Sequence, residues 1–185
     1  MPASATGNAR LSITGNLANT LIDTTVVPAT IGNERNLTFE SGTGANQFNR
    51  GWKKHSWVLA DAASFSLDLF DLGSADIGAG AGEDPLGLTQ ANTELVGMFI
   101  NSAIASVGSI LIGGEGSTAA WQSMLAVSGT LSDTAQIKLL PGAVLIVVAP
   151  LASAYAIADS TNHLLKFLAS GGAVNFDVDL FLRGA

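Results

Sequence analysis

Cysteine is absent from the 185 residues, so neither a disulfide framework nor a thiolate metal site is available to hold the fold. Charge is scarce. Only 12% of residues are Asp, Glu, Lys or Arg, about half the share usual in a small soluble domain. Lys and Arg number 8 against 15 Asp and Glu, giving a net charge of −7. Sequence-independent nucleic-acid binding draws its energy from cations that neutralise phosphates, and so few scattered cations argue against that function. Histidine occurs twice, at His55 and His163. Neither a G-x-S-x-G elbow nor an H-E-x-x-H helix is present, so the reading is non-enzymatic, without cofactor or metal. Long hydrophobic runs are missing too. Leu139–Ala158 is uncharged but is interrupted by Pro141, Gly142 and Pro150. It falls short of the roughly 20 consecutive apolar residues of a spanning helix and reads as a buried β-hairpin, not a membrane segment. The first residues, MPASATGNARLS, lack the basic region and apolar run of a secretory signal.

What remains is apolar and small. Hydrophobic residues make up 48% of the chain and Gly contributes 21 positions. A disordered chain needs the opposite balance, high charge and few apolar groups. With so little charge to coat a free surface, the chain is expected to hide part of that surface against neighbours, or to cover it with Ser, Thr, Asn and Gly.

Periodicity points to strands. Val174, Phe176, Val178, Leu180 and Leu182 alternate with Asn175, Asp177, Asp179 and Phe181, the two-residue period of a half-buried strand. Phe65, Leu67 and Leu69 alternate in the same way with Ser64, Ser66 and Asp68. Further short apolar runs occupy 95–100, 107–112, 135–140, 143–149 and 164–168. Turn residues separate them. Pro141-Gly142 has the composition of a type II turn, with Pro fixing φ and Gly supplying φ > 0. Gly113–Ser117 and Ser170–Gly172 are further Gly-rich breaks. Short strands at close spacing predict an all-β sandwich, jelly-roll-like, over residues 51–185. Ala119–Val127 fits a short helix or a strand and loop equally well. Residues 1–50, rich in Asn, Thr, Gly and Ala, read as edge strands or as an extended N-terminal arm reaching a neighbouring subunit.

Few residues carry chemistry. The segment GGEGST (Gly113–Thr118) lacks the Lys of a phosphate loop and reads as a hairpin turn. Asp71, Asp76, Glu83 and Asp84 flank or occupy the Gly73–Gly87 loop and read as a solvated acidic loop, a Ca²⁺ site being the alternative. The one basic cluster is RGWKKHSW. Its Arg50, Trp52, Lys53, Lys54 and Trp57 are the candidate partner-docking residues, suited to the acidic face of another copy or of a partner.

From Leu95 to Ala185 the order of features is specific. A strand runs to Asn101, Ile110–Ile112 leads into a Gly-Gly turn, and Gln136–Gly142 ends in Pro-Gly. An apolar strand then closes with Pro150, followed by SAYAIADSTNHLLKF, a Gly turn and an alternating strand ending in Arg183-Gly184. This order resembles small virion structural proteins of tailed bacteriophages, of the head decoration or cement type. Ala143 stands where that family usually has a second Gly, and His163 where it commonly has Asp. The resemblance implies a protein made in the host cytoplasm that becomes part of the capsid exterior. Its partners would be the major capsid protein or other virion proteins, and it would form a homo-oligomer, commonly a trimer. A tail, fibre or spike protein and a jelly-roll shell subunit remain open as alternatives. So does a carbohydrate-binding attachment module that uses Trp52, Trp57, Trp121 and Tyr155 as stacking platforms. If the basic cluster docks the protein, reversing the charge of Lys53 and Lys54 is expected to slow attachment to the shell and to alter its salt dependence, measured as association rate over a series of salt concentrations.

Overall fold

A computed structural model of the chain describes residues 7–20, 26–72, 91–114, 116, 119–121, 123–124 and 135–184. Among the described residues there are twelve strands and no α-helix. The first three stand apart from the rest. β1 (Gly7–Thr20) pairs antiparallel with β2 (Val26–Ser41), and the end of β2 pairs in parallel with the short β3 (Gln47–Phe48). The other nine are β4 (Arg50–Leu59), β5 (Ser64–Asp68), β6 (Asn92–Ser102), β7 (Ser109–Gly113), β8 (Gln136–Leu139), β9 (Val144–Val148), β10 (Tyr155–Ala156), β11 (Leu164–Ser170) and β12 (Val174–Gly184).

The pairing of these nine follows one rule, first with last and inward from there. β4 pairs with β12, β5 with β11, β6 with β9 and β10, and β7 with β8, all antiparallel. β9 and β10 share one edge of β6, β9 at Gly97–Asn101 and β10 at Glu94–Leu95. The β12–β6 and β11–β7 ladders then join the pairs into a five-stranded and a four-stranded sheet. This rolled arrangement of antiparallel strands in two sheets is the jelly roll.

One core lies between the two sheets. The inward row of β12, Val174, Phe176, Val178, Leu180 and Leu182, is at most 1% exposed. It meets Leu67, Ile110, Ile112, Leu165 and Phe167 of the four-stranded sheet. Trp57 joins the two layers. Its ring stacks on Phe176 (centroids 4.9 Å apart, 23° between planes) and meets Phe65 and Phe167 of the opposite sheet at 5.1 and 5.4 Å. Buried aromatics in such offset and edge-on pairs add about 0.5–1.5 kcal/mol each to their area burial.

Simple alternation fails in two strands, and β-bulges are the reason. Trp52 and Trp57 are an odd number of residues apart, so an unbroken strand would send one of them to each face. Both are buried, 2% and 5% exposed. The register moves from Lys54↔Val178 to Trp57↔Phe176, so His55 and Ser56 together stand opposite Asp177 alone. Ser56 takes φ +54°, and its amide donates to Asp177 Oδ1 at 2.8 Å. The extra residue restores phase, as bulges do. In β6 the same device leaves Val96 unpaired between Leu95↔Leu182 and Gly97↔Phe181. Leu95, Met98 and Ile100 keep to the core while Val96 joins a separate cluster.

Some connections differ from the sequence expectations. Pro141-Gly142 is the expected tight turn, with Gly142 at φ +77° and Ala143 N donating to Leu140 O at 3.0 Å. The strands it joins do not form a hairpin, however: β8 lies in the four-stranded sheet and β9 in the five-stranded one. The turn is an arch across the edge of the sandwich. Of the expected hairpin turn at Gly113–Thr118, residues 115, 117 and 118 lie outside the described residues. β7 and β8 are antiparallel neighbours, but residues 114–135 separate them. Of Ala119–Val127, the described part is not helical. Ala120 bridges Leu164 and Trp121 N donates to Leu164 O at 2.8 Å. No helix among the described residues is long and apolar enough to cross a membrane.

The positive φ at Ser56 supports a specific expectation. An L-residue in this region costs about 1–2 kcal/mol, more when β-branched. Ser56 already bears that cost, so Ser56→Val is expected to lower stability through the added crowding of its β-branch, whereas Ser56→Gly stays within about 1 kcal/mol of the parent. Urea denaturation followed through the buried tryptophans checks both.

Candidate interaction surface

The outer face of the five-stranded sheet is where the residues singled out in the sequence meet those it passed over. Of the docking cluster, Lys53 is exposed, Arg50 and Lys54 are half-buried, and Trp52 and Trp57 lie in the core. The two tryptophans are thus removed from the docking group, because the bulge turns both inward. Trp121 is also buried, 2% exposed, with Nε1 donating to Ala156 O at 2.9 Å. Of the four proposed stacking platforms only Tyr155 retains partial exposure, its ring edge-on to Trp121 at 6.1 Å.

The cations of β4 have anionic neighbours on β12. Lys53 stands opposite Asp179 in the ladder, and His55 Nε2 lies 2.8 Å from Asp179 Oδ1. Asp177 accepts the Ser56 amide through Oδ1 and faces Asn101 Nδ2 at 3.4 Å through Oδ2. The patch is therefore of mixed sign, not basic. Exposed pairs of this kind contribute about 0–1 kcal/mol each. The polar positions of β12 that supply these carboxylates were visible as an alternation, but their position across from β4 depends on the roll.

Beside this polar half lies an apolar half that the sequence reading did not single out. Val144, Ile146 and Phe181 are 49%, 38% and 39% exposed. Register carries Ile146 to Phe99 and Phe99 to Asp179, and carries Val148 to Gly97 and Gly97 to Phe181. The Phe181 ring covers Gly97, where a Cβ would come within 3.1 Å of it. At one end this stripe continues into a small buried cluster of Phe39, Phe48 and Val96, with Val148 and Ala154 against it. Phe48 contacts Phe39 and Phe181 at 6.1 and 5.1 Å.

That cluster is the root of the N-terminal segment, and hydrogen bonds fasten it to the sandwich. Asn49 exchanges bonds with Gly184, its Nδ2 donating to Gly184 O at 2.8 Å and its Oδ1 accepting from Gly184 N at 3.0 Å. Asn46 N donates to Pro150 O at 2.7 Å. Between them lies Arg183, 2% exposed. Its Nε donates to Gln47 O at 2.8 Å, Nη1 to Glu94 Oε2 at 2.7 Å and to Ala152 O at 2.8 Å, and Nη2 to Leu151 O at 2.6 Å. One side chain joins β3, β6, β12 and the loop after β9.

The remaining expectations concern scattered residues. Asp71 follows a turn in which Asp68 Oδ1 accepts the amides of Phe70 and Asp71 at 2.9 and 3.1 Å. Asp76, Glu83 and Asp84, with the whole of the Gly73–Gly87 loop, lie outside the described residues. His163 is 3.9 Å from Asp68 and distant in the ladders from His55. No protein-family model, curated protein or solved structure matches the chain.

Removing a buried cation that satisfies this many acceptors leaves them unpaired in a dry site, at a cost of about 3–5 kcal/mol. Arg183→Ala is expected to lose about that much. Arg183→Lys should not restore it, because an ammonium lacks the planar five-donor fork. Urea denaturation gives the magnitude. Limited proteolysis should show residues 38–49 becoming cleavable before the sandwich.

Proposed function

We propose that this chain is a virion structural protein of the decoration type, a jelly roll that attaches to the outside of a capsid shell and works as a homo-oligomer, as a trimer in the simplest form. The observation that carries the reading is the uncharged, partly exposed stripe of Val144, Ile146, Phe99 and Phe181 on an otherwise complete sandwich. Sheets with one solvated face normally alternate apolar inward and polar outward. An apolar outer row on a chain with only 12% charged residues is what a subunit needs if neighbours cover that row. Attachment at many equivalent points adds small contact energies into a large stabilisation of the shell.

The jelly roll itself is shared by capsid proteins, lectins and cupins, so the fold alone does not choose among them. Burial of Trp52, Trp57 and Trp121 takes away the stacking platforms of a carbohydrate-binding module. The rolled connectivity does favour a second reading, that of a shell subunit.

Both readings are testable on gradient-purified particles from the source. The chain is expected in them at a stoichiometric level and, when pure, as a discrete oligomer by light scattering. Gentle washing with denaturant should release a decoration protein from an intact shell but would dismantle the shell if the chain were its subunit. Absence from the particles, with a monomer at every concentration, would overturn both.

A further inference from the structure

We propose that the β1–β2 ribbon of one copy lies across the outer face of the five-stranded sheet of a second copy, over Phe99, Val144, Ile146 and Phe181. The inference rests on the reading of this chain as a self-associating structural protein and names the surface that joins its copies.

Three observations lead there. The first is the register of the ribbon. Gly7 pairs with Phe39, and the ladder runs without a slip to Thr20↔Val26. Positions of the same parity as Phe39 include Leu11, Ile13, Leu17, Val27, Ile31 and Leu37, while the other parity holds Arg10, Ser12, Thr14, Asn16, Glu34 and Asn36. The first row is mainly apolar, interrupted by Asn19, Asn33 and Arg35, and the second is mainly polar, with Ala18, Val26 and Pro28 among its members. A two-stranded ribbon is marginal in water by itself and needs a third strand or a surface against its apolar row. Among the described residues its only further ladder is the two-residue pairing of Glu40 and Ser41 with β3.

The second is the seat already taken by the start of that row. Phe39 is 6% exposed and buried with Phe48 and Val96 on the outer face of the sandwich. The apolar row thus begins on the kind of surface it is proposed to occupy. Fourteen paired positions at about 3.4 Å each reach roughly 45 Å, farther than the eleven residues of β12.

The third is the stripe left open. With the chain's own ribbon in place, Val144, Ile146 and Phe181 remain 49%, 38% and 39% exposed. Of the nearby charges, Asp179 is paired with His55, Asp177 accepts the Ser56 amide, and Lys53 stands opposite Asp179 in the ladder. Each copy carries an apolar row and an apolar stripe, and a second copy satisfies both. Such a head-to-tail exchange closes into a ring when the rotation allows.

The absence of cysteine makes the test direct. Full-length Ile13→Cys and Ile146→Cys chains, one carrying a mass tag, are refolded together and mildly oxidised. A mixed disulfide dimer, several-fold above that formed by Ile13→Cys with Lys138→Cys on the opposite sheet, is the expected result. Ile146→Lys, at a site already partly exposed, should keep the strand spectrum and weaken association about tenfold or more by light scattering. No mixed dimer above the Lys138 control overturns the proposal. So does an intrachain link in the dilute double variant, which would seat the ribbon on its own sheet. If the parent still forms a defined oligomer while these links fail, the surface is wrong and the assembly reading survives. A parent that is monomeric throughout removes both.

Discussion

A guanidinium taken out of water must find acceptors for its donors, and Arg183 finds them in three separate parts of the chain. Gln47, Glu94, Leu151 and Ala152 come from β3, β6 and the loop after β9, while Arg183 itself sits near the end of β12. Three of the four acceptors are backbone carbonyls. The bond to Glu94 supplies the opposite charge, so the buried cation is paired as well as hydrogen-bonded. Geometry at this point governs how the N-terminal segment meets the sandwich. The acceptors fit a single placement of residues 46–49, and Asn49 and Gly184 reinforce it. Gly184 has no room for a side chain, since a Cβ there would come within 2.4 Å of Ala91 O. The Phe39–Phe48–Val96 cluster and the stripe beside it take their positions from this joint.

The two bulges divide the surface in a complementary way. In β4 the extra residue keeps two tryptophans inside and leaves Lys53 and His55 opposite the carboxylates of β12. In β6 it frees Val96 from the core and gives it to the outer cluster. A mainly apolar inner face is thus combined with an outer face that is polar at one end and apolar at the other. Neither effect requires a change in composition. Each inserted residue moves the phase of everything that follows it.

Much of the architecture was legible in the residues. The alternation of Val174–Leu182 marked β12, the Ser64–Leu69 alternation marked β5, and the Pro-Gly and Gly-Gly pairs marked where strands stop. Local periodicity carries that information because it depends only on which face a side chain takes. What it does not carry is the partner of each strand. Leu139–Ala158 reads as a hairpin, yet β8 joins the four-stranded sheet while β9 and β10 both pair with β6. Trp52 and Trp57 read as surface anchors because a basic stretch surrounds them, and only the bulge explains how both turn inward. The outer stripe was hidden for a related reason. Val144 and Ile146 belong to a strand that looks core-like throughout, Phe181 is the one apolar member of the outward row of β12, and their exposure follows from which sheet they join and from what fails to cover them. Arg183 gave no signal beyond its place in an Arg-Gly pair.

Pairing the first sandwich strand with the last has a consequence for how the molecule comes into being. β4 cannot complete its ladder until β12 has been synthesised, more than a hundred residues later, and β5 must wait for β11 in the same way. Such long-range pairing makes folding slow, since distant segments must meet before the contacts between them contribute. While synthesis continues, half-built sheets present open strands and apolar rows to whatever is near. Few charges are available to hold those intermediates apart. The low aggregation barrier that goes with a sparsely charged surface is therefore met during biogenesis, before any neighbour has arrived to cover it.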